Sequence, residues 1–350
     1  AVLIRPRRLV LFAGLGLLLP VALVLTFTTQ GIRPAALLLS LLILLLLPGK
    51  KGIPERADQW WDLLLNHPAR ILLSTFFLLC LLGTGLLLIP TASRNNSIGI
   101  IDAAFTSVSS VCVTGLIVLD TPQDFSGLGQ FFILFLIQLG GLGIMSIATV
   151  ALHAMGRRLS LRQERLLSSM TENSHTDLVA SLITILKFTF LSEGIGAAIL
   201  SGLFYTAGDS AGQACWRGLF TAISAFCNAG FSLQSNSLLP YNSNPLILHT
   251  IAILIILGGL APATSLILPN FFRHRPIPLA ARLPLVTSAV LLVFGTFFLL
   301  AFEWNGILAG LPPADKIHNA WFQSVTLRTA GFNSVDLARA SSPSFLIMLC

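Results

Sequence analysis

Apolar runs of twenty residues or more recur along this chain, at 69–89, 128–153, 178–205, 246–270 and 283–302, and a further run begins near Ser344. A helix needs roughly 20 mostly apolar residues to cross the hydrocarbon core of a bilayer. The pattern therefore predicts an all-α integral membrane protein. Composition removes the alternatives: 55% of the 350 residues are hydrophobic and only 10% are charged, whereas a water-soluble domain has about a quarter charged. A soluble enzyme and a disordered chain are both excluded. The formal net charge of +7 does not indicate nucleic acid, because the basic residues lie in short loops between apolar runs, as a positive-inside arrangement requires. Five scattered cysteines and six dispersed histidines show no metal-ligand or disulfide spacing.

The runs divide the chain. Residues 1–58 read as an N-terminal helical hairpin and basic loop, a basic-then-apolar start that fits a membrane anchor better than a signal peptide. Trp60 and Trp61 suit an interfacial belt. Three units follow, at 59–156, 157–273 (with a polar cytoplasmic connector around Arg157 to Glu172) and 274–350, the last truncated. Between alternate spans lie shorter Ser/Thr-bearing segments at 101–111, 215–226 and 318–327. They are too short to cross a bilayer and are expected as half-helices entering from one side, shielded by protein or a water-filled pore.

These short segments are repeats of one another. Segments 104–116, 219–231 and 321–332, the last one residue shorter, each carry an aromatic residue, a Ser/Thr-rich stretch, a small residue, glycine and a large apolar residue. Five residues past the glycines stand Asp120, Ser235 and Asp336, and Leu139-Gly140-Gly141-Leu142 in one following span matches Leu257-Gly258-Gly259-Leu260 in the next. With the half-helices facing outside, inner loops hold fourteen Arg and Lys against six in outer loops. The expected location is a cytoplasmic (inner) membrane, multi-pass, with pore loops facing outside.

Span, half-helix, glycine-bearing strand and span together make the unit of a P-loop cation pore. A dehydrated cation needs oxygens aimed at one axis, and backbone carbonyls supply them without a full negative charge. Glycine reaches the φ > 0 angles and the close approach that such a strand needs. The partly negative C-terminal ends of the half-helices favour a cation beside them. The candidate ion-binding residues are Cys112, Val113, Thr114 and Gly115, then Cys227, Asn228, Ala229 and Gly230, then Arg328, Thr329, Ala330 and Gly331. Asp120 and Asp336 are candidates for the outer mouth.

The strings Val113-Thr114-Gly115-Leu116, Asn228-Ala229-Gly230-Phe231 and especially Arg328-Thr329-Ala330-Gly331-Phe332-Asn333 resemble the first three filter sequences of the TrkH/KtrB family of potassium uptake proteins. The resemblance covers about residues 69 to 350. It implies four repeats around one pseudo-fourfold pore, potassium bound by filter carbonyls with no organic cofactor, and a homodimer in membrane lipid with no nucleic acid. It also implies gating by a cytosolic nucleotide-binding ring of TrkA/KtrA type. Cys112 and Cys227 depart from the family's usual Thr and Asn. Glycine in all three strings points, by the same resemblance, to potassium, and serine in the first string to sodium. Repeat spacing puts a fourth filter glycine about 100 residues past Gly331, so a fragment of a longer protein is expected.

Arg328 is expected to point behind the filter and pair with a carboxylate, Glu193 or Glu303. For Lys187 and Glu193, an ion pair or snorkelling stands beside a role in conduction. Glycines 140, 141, 143, 258 and 259 are expected to permit close helix packing. The 157–172 stretch either docks a regulatory partner or lies on anionic lipid. No GxGxxG, GxxxxGK, HExxH or GxSxG motif supports catalysis. A sodium-permeable or ion-coupled carrier with re-entrant helices remains the alternative to a potassium pore.

Overall fold

The computed structural model describes residues 68–94, 98–143, 178–260 and 279–348. Nine α-helices of seven or more residues are labelled among them: α1 Pro68–Leu87, α2 Ile100–Val111, α3 Gly127–Gly141, α4 Leu178–Thr206, α5 Ala211–Phe226, α6 Pro245–Gly259, α7 Leu279–Glu303, α8 Pro313–Thr326 and α9 Ser342–Met348. No strand occurs among the described residues; the sole β-like contact there is an isolated bridge between Ser93 and Phe125. The expected N-terminal hairpin and the connector around 157–172 lie outside the described residues.

Helix starts follow local chemistry. Ser126 caps α3 by accepting from the Gly129 amide at 3.2 Å, and Asn244 caps α6 at Ile247 with Pro245 as first helical residue. Helix α8 opens on Pro313 with Asp315 in its first turn, where a negative charge suits the helix dipole. The half-helices α5 and α8 begin four and five residues before the positions expected at 215 and 318. Their opening turns, with Gln213 in one and Asp315-Lys316 in the other, are helix-compatible without being apolar. Among the described residues, two helical stretches are long and apolar enough to cross a membrane, Ile183–Thr206 and Arg282–Glu303. Helices α3 and α6 both stop at a Gly-Gly pair, and the remainder of the two longer apolar runs lies outside the described residues.

Large apolar side chains are not confined to the interior. Phe77, Leu78, Leu81 and Leu82 on α1 and Val293, Phe294 and Phe297 on α7 are exposed. The buried face of α2 is Ala103, Thr106, Ser107, Ser109, Ser110 and Val111. Small and hydroxyl residues inside with large apolar residues outside is the pattern of helices that pack in lipid.

One packing scheme repeats. Each outer helix (α1, α4, α7) packs on its half-helix (α2, α5, α8), and α2 and α5 pack on the inner helices α3 and α6. The step from unit to unit also repeats, since α3 packs on α5 as α6 packs on α8. Glycines make the contacts possible. A Cβ at Gly83 would collide with Ser107 Oγ and lie 2.7 Å from a δ carbon of Leu136, and one at Gly196 would lie 2.7 Å from a δ carbon of Leu254. Leu136 and Leu254 each precede a packing glycine, Gly140 or Gly258, by four residues. Hydroxyls brace the same level, Ser107 donating to the Cys80 carbonyl at 2.8 Å and Ser324 to that of Leu292 at 2.9 Å. At the inner end, Gly140 lies against the carbonyl of Val111 and Gly258 against that of Phe226, the last residues of α2 and α5.

Gly258→Ala is expected to lower stability by about 1–3 kcal/mol through overpacking against backbone that cannot move aside. Gly202→Ala, where a Cβ meets nothing within 4 Å, is expected to be neutral or stabilising by up to about 1 kcal/mol. Thermal unfolding of both variants in detergent measures the difference in sign.

Candidate functional site

The half-helices α2, α5 and α8 each end in a short string that leaves helical geometry in an ordered way. At the end of α2, Val113 N donates to Ser110 O and Thr114 N to Ser109 O; at the end of α5, Asn228 N donates to Ala225 O and Ala229 N to Ser224 O. Both pairs are the bonds of a Schellman motif, which satisfies helix carbonyls and turns the chain through a left-handed residue. The residues in that position are Val113 at φ 55° and Asn228 at φ 57°. The third half-helix ends one residue further from its glycine, at Thr326, and its end differs: Ala330 N bonds Thr326 O, and the left-handed residue is Thr329 at φ 74°. Asparagine tolerates this region, whereas β-branched Val113 and Thr329 are strained there.

Two residues further along each string comes the glycine, again left-handed: Gly115 at φ 71°, Gly230 at φ 71° and Gly331 at φ 80°. Thr114, Ala229 and Ala330, between the left-handed pairs, have no positive φ. Alternating the sign of φ turns successive peptide groups toward one side, unlike a β-strand, where they alternate. The strings also touch. A Cβ at Gly115 would collide with the carbonyl oxygen of Ala229, and one at Gly230 would lie 2.6 Å from the carbonyl oxygen of Ala330 and 3.0 Å from the Gly331 Cα. A Cβ at Gly331 would meet Gly230 Cα at 3.3 Å. The three strings are thus neighbours in chain order, with the second between the other two.

Burial agrees with that order. Ala229 and Phe231 of the middle string are 1% exposed, while Thr114 and Leu116 of the first string and Thr329 and Gly331 of the third are exposed. Hydroxyls hold the first two strings from behind: Ser109 Oγ donates to Leu116 O at 2.7 Å and Ser224 Oγ to Phe231 O at 2.8 Å. Thr114 Oγ1 donates to Ser109 Oγ at 3.0 Å. The Asn228 amide, oriented to suit its neighbours, donates to Ile255 O and accepts from Gly259 N, tying the middle string to α6. Cys112 and Cys227 are the C-caps of α2 and α5. The Cys227 thiol reaches its own outer helix, lying 3.9 Å from Glu193 Oε1.

The carboxylate expected for Arg328 is not there. Glu193 accepts both its 3.1 Å bonds from Gln138, and Glu303 accepts from Ser341 N at 2.8 Å, Ser341 Oγ at 2.7 Å, Ser344 Oγ at 2.5 Å and Ile307 N at 3.1 Å. Arg328 Nε and Nη2 are buried without a hydrogen-bond partner among the described residues. Glu303 instead fastens the end of α7 to the start of α9. Of the acidic residues flanking the strings, Asp120 precedes the single turn Thr121–Asp124, and Asp336 caps Ala338 N and pairs with Arg339 at 3.3 Å. Gln123 donates to Ser235 and Leu238 N to Asn333 O, so the loops beyond the strings are cross-tied between units.

Sequence reasoning found the glycines and missed the residues behind them. Ser109 and Ser224 were visible only as part of a Ser/Thr-rich pattern, and nothing in the sequence joined Gln138 or Glu193 to a string. The arrangement can offer carbonyl oxygens from three adjacent strings to a cation, beside three helix C-termini. Ser224→Ala would leave the buried Phe231 carbonyl without its donor, and an expected loss of about 1–2 kcal/mol is read by thermal unfolding; Ser243→Ala, at an exposed loop position, is expected to change stability by less than about 0.5 kcal/mol.

Comparison with known proteins gives a consistent answer. Residues 42–350 match the family TrkH, cation transport protein. The chain is 34% identical over 285 residues to the potassium/sodium uptake protein NtpJ of Enterococcus hirae, covering 81% of this chain and 63% of that one. It is 35% identical over 319 residues to the Ktr system potassium uptake protein B of Vibrio alginolyticus, covering 86% and 67%. Against the protein of that name from Bacillus subtilis the figures are 36% over 273 residues, 77% and 61%. The chain therefore spans about two thirds of the length of these relatives. Its fold matches the crystal structure of the potassium transporter TrkH from Vibrio parahaemolyticus with a TM-score of 0.51 at 20% identity, covering 79% of this chain and 55% of that one. The chain belongs to the TrkH family of cation transport proteins, which are membrane transporters and not an enzyme family.

Proposed function

We propose that this protein takes up potassium across the cytoplasmic membrane through a filter of backbone carbonyls, with strings 112–115, 227–230 and 328–331 as three quadrants of a pseudo-fourfold ring. The observation that carries this reading is the mutual approach of Gly115 to the Ala229 carbonyl and of Gly230 to the Ala330 carbonyl, at the point where three half-helices end. Carbonyl oxygens there replace the hydration shell of the ion, and the helix ends add partial negative charge. The chain contributes its units as 59–156, 157–273 and 274–350, following the N-terminal hairpin of 1–58. The strings face outside, as the excess of Arg and Lys in the opposite loops supports, and Asp120 and Asp336 draw cations to the outer mouth. The protein acts in lipid as a homodimer, gated by a cytosolic nucleotide-binding subunit of TrkA/KtrA type; the phrase "Ktr system" in the names of relatives supports a regulatory partner.

A second reading, a sodium-permeable or ion-coupled carrier, is favoured by one observation, the potassium/sodium description of the Enterococcus hirae relative. Gly115→Ser separates the two. A side chain at φ 71° facing the Ala229 carbonyl must displace that oxygen and loosen the ring. The expected result is at least a tenfold fall in the preference for potassium over sodium in competitive uptake, equivalent to about 1.4 kcal/mol. An unchanged ion preference would count against the filter.

A further inference from the structure

Six histidines are dispersed along the sequence, yet the fold brings two of them together. His67, His153, His175 and His274 lie outside the described residues. The two described histidines face each other: His249 Nε2 stands 3.0 Å from His318 Nδ1, with the rings crossed at 84° and their centroids 5.0 Å apart. Each sits in the second turn of its helix, His249 on α6 and His318 on α8. The pair therefore spans the seam between the second unit and the third.

This end of the seam is open to small solutes. Both rings are half-buried, and Ser243, Pro313 and Ala314 at the adjoining helix starts are exposed. Neither ring has another hydrogen-bond partner among the described residues. The seam is also held without the pair. Asn319 Nδ2 donates to Asn242 O at 2.7 Å and to Asp315 O at 2.8 Å, joining the start of α8 to the loop before α6. Leu248 and Ile251 of α6 share one buried core with Phe322 and Val325 of α8.

Imidazole nitrogen suits zinc, copper and nickel, whereas calcium and magnesium take oxygen ligands. Two imidazole nitrogens bound at about 2.0–2.1 Å to a tetrahedral zinc stand about 3.4 Å apart. The observed separation is slightly shorter, and rotation about the soft χ2 of either ring supplies the difference. The proton count closes. With a metal in the gap, the proton between the rings moves to the far nitrogen of the ring that carried it, so both imidazoles bind as neutral ligands. No third His, Cys, Asp or Glu completes a metal-binding group among the described residues, so water fills the rest of the shell and the ion exchanges.

We propose that His249 and His318 form a site for a divalent transition-metal ion of the zinc class, which fastens α6 of the second unit to α8 of the third. The site is separate from the strings and does not rest on their being the ion path.

The test is equilibrium binding of radioactive zinc to the purified chain in detergent, carrying an affinity tag without histidine, with excess magnesium present. His249→Gln, His318→Gln and the double variant are each expected to hold one zinc fewer per chain than wild type, with affinity at that site falling at least about tenfold. Because both rings hold one ion, the double variant loses no more than either single variant. Equal zinc binding by all four proteins overturns the proposal, as does a loss in the double variant equal to the sum of two separate losses. Should the pair variants not accumulate, a chain with His67, His153, His175 and His274 replaced by glutamine keeps the site and is expected to bind one zinc; no binding by that chain overturns the proposal.

Discussion

The contact that organises this molecule is backbone against backbone: Gly115 on the Ala229 carbonyl, and Gly230 on that of Ala330. No residue with a Cβ fits either place without moving a peptide group, and the left-handed φ of each glycine penalises a side chain a second time. The same economy of atoms governs the next layer out, where Gly140 and Gly258 admit the ends of α2 and α5. Close approach at the centre therefore requires close approach around it. The outer, half and inner helices are spaced by glycine, and hydroxyls of Ser107 and Ser324 reach the outer-helix carbonyls at the same level.

Lipid is the solvent that makes this scheme reasonable. With no hydrophobic drive between helices, packing and interhelical hydrogen bonds hold them together, and the buried faces carry Ser, Thr, Gly and Ala accordingly. Polar residues then become tools. Ser109 and Ser224 restrain the carbonyls just past the string glycines, Asn228 joins a string to α6, and Glu303 closes the end of α7 onto α9. The strained φ of Val113 and Thr329 persists because bonds on both sides determine it.

The helices and the repeats were legible in the sequence because apolar length and recurring Ser/Thr-Gly strings are local signals. Helices α5 and α8 start four and five residues before their expected positions, since apolarity marks where a segment meets lipid and not where hydrogen bonding begins. Of the glycines expected to permit close packing, 140, 141, 258 and 259 admit two carbonyls, a thiol and an amide, whereas Gly143 has no described neighbour within 4 Å of a Cβ and instead takes a left-handed φ of 74° at the end of α3. Side-chain partnerships were the illegible part. Arg328 was assigned Glu193 or Glu303 by charge alone, yet both carboxylates are occupied by neutral donors. Pairings between residues dozens of positions apart depend on helix rotation about its axis, which a run of leucines and phenylalanines leaves unspecified.

The most direct test of the central claim is the position of thallium, a heavy stand-in for potassium, located by anomalous scattering in crystals of the active transporter. Peaks are expected between the strings, within carbonyl bonding distance of residues such as Thr114, Ala229 and Ala330. Thallium bound to side chains elsewhere, with the strings empty in crystals of protein that transports it, would mean that the strings are not the ion path.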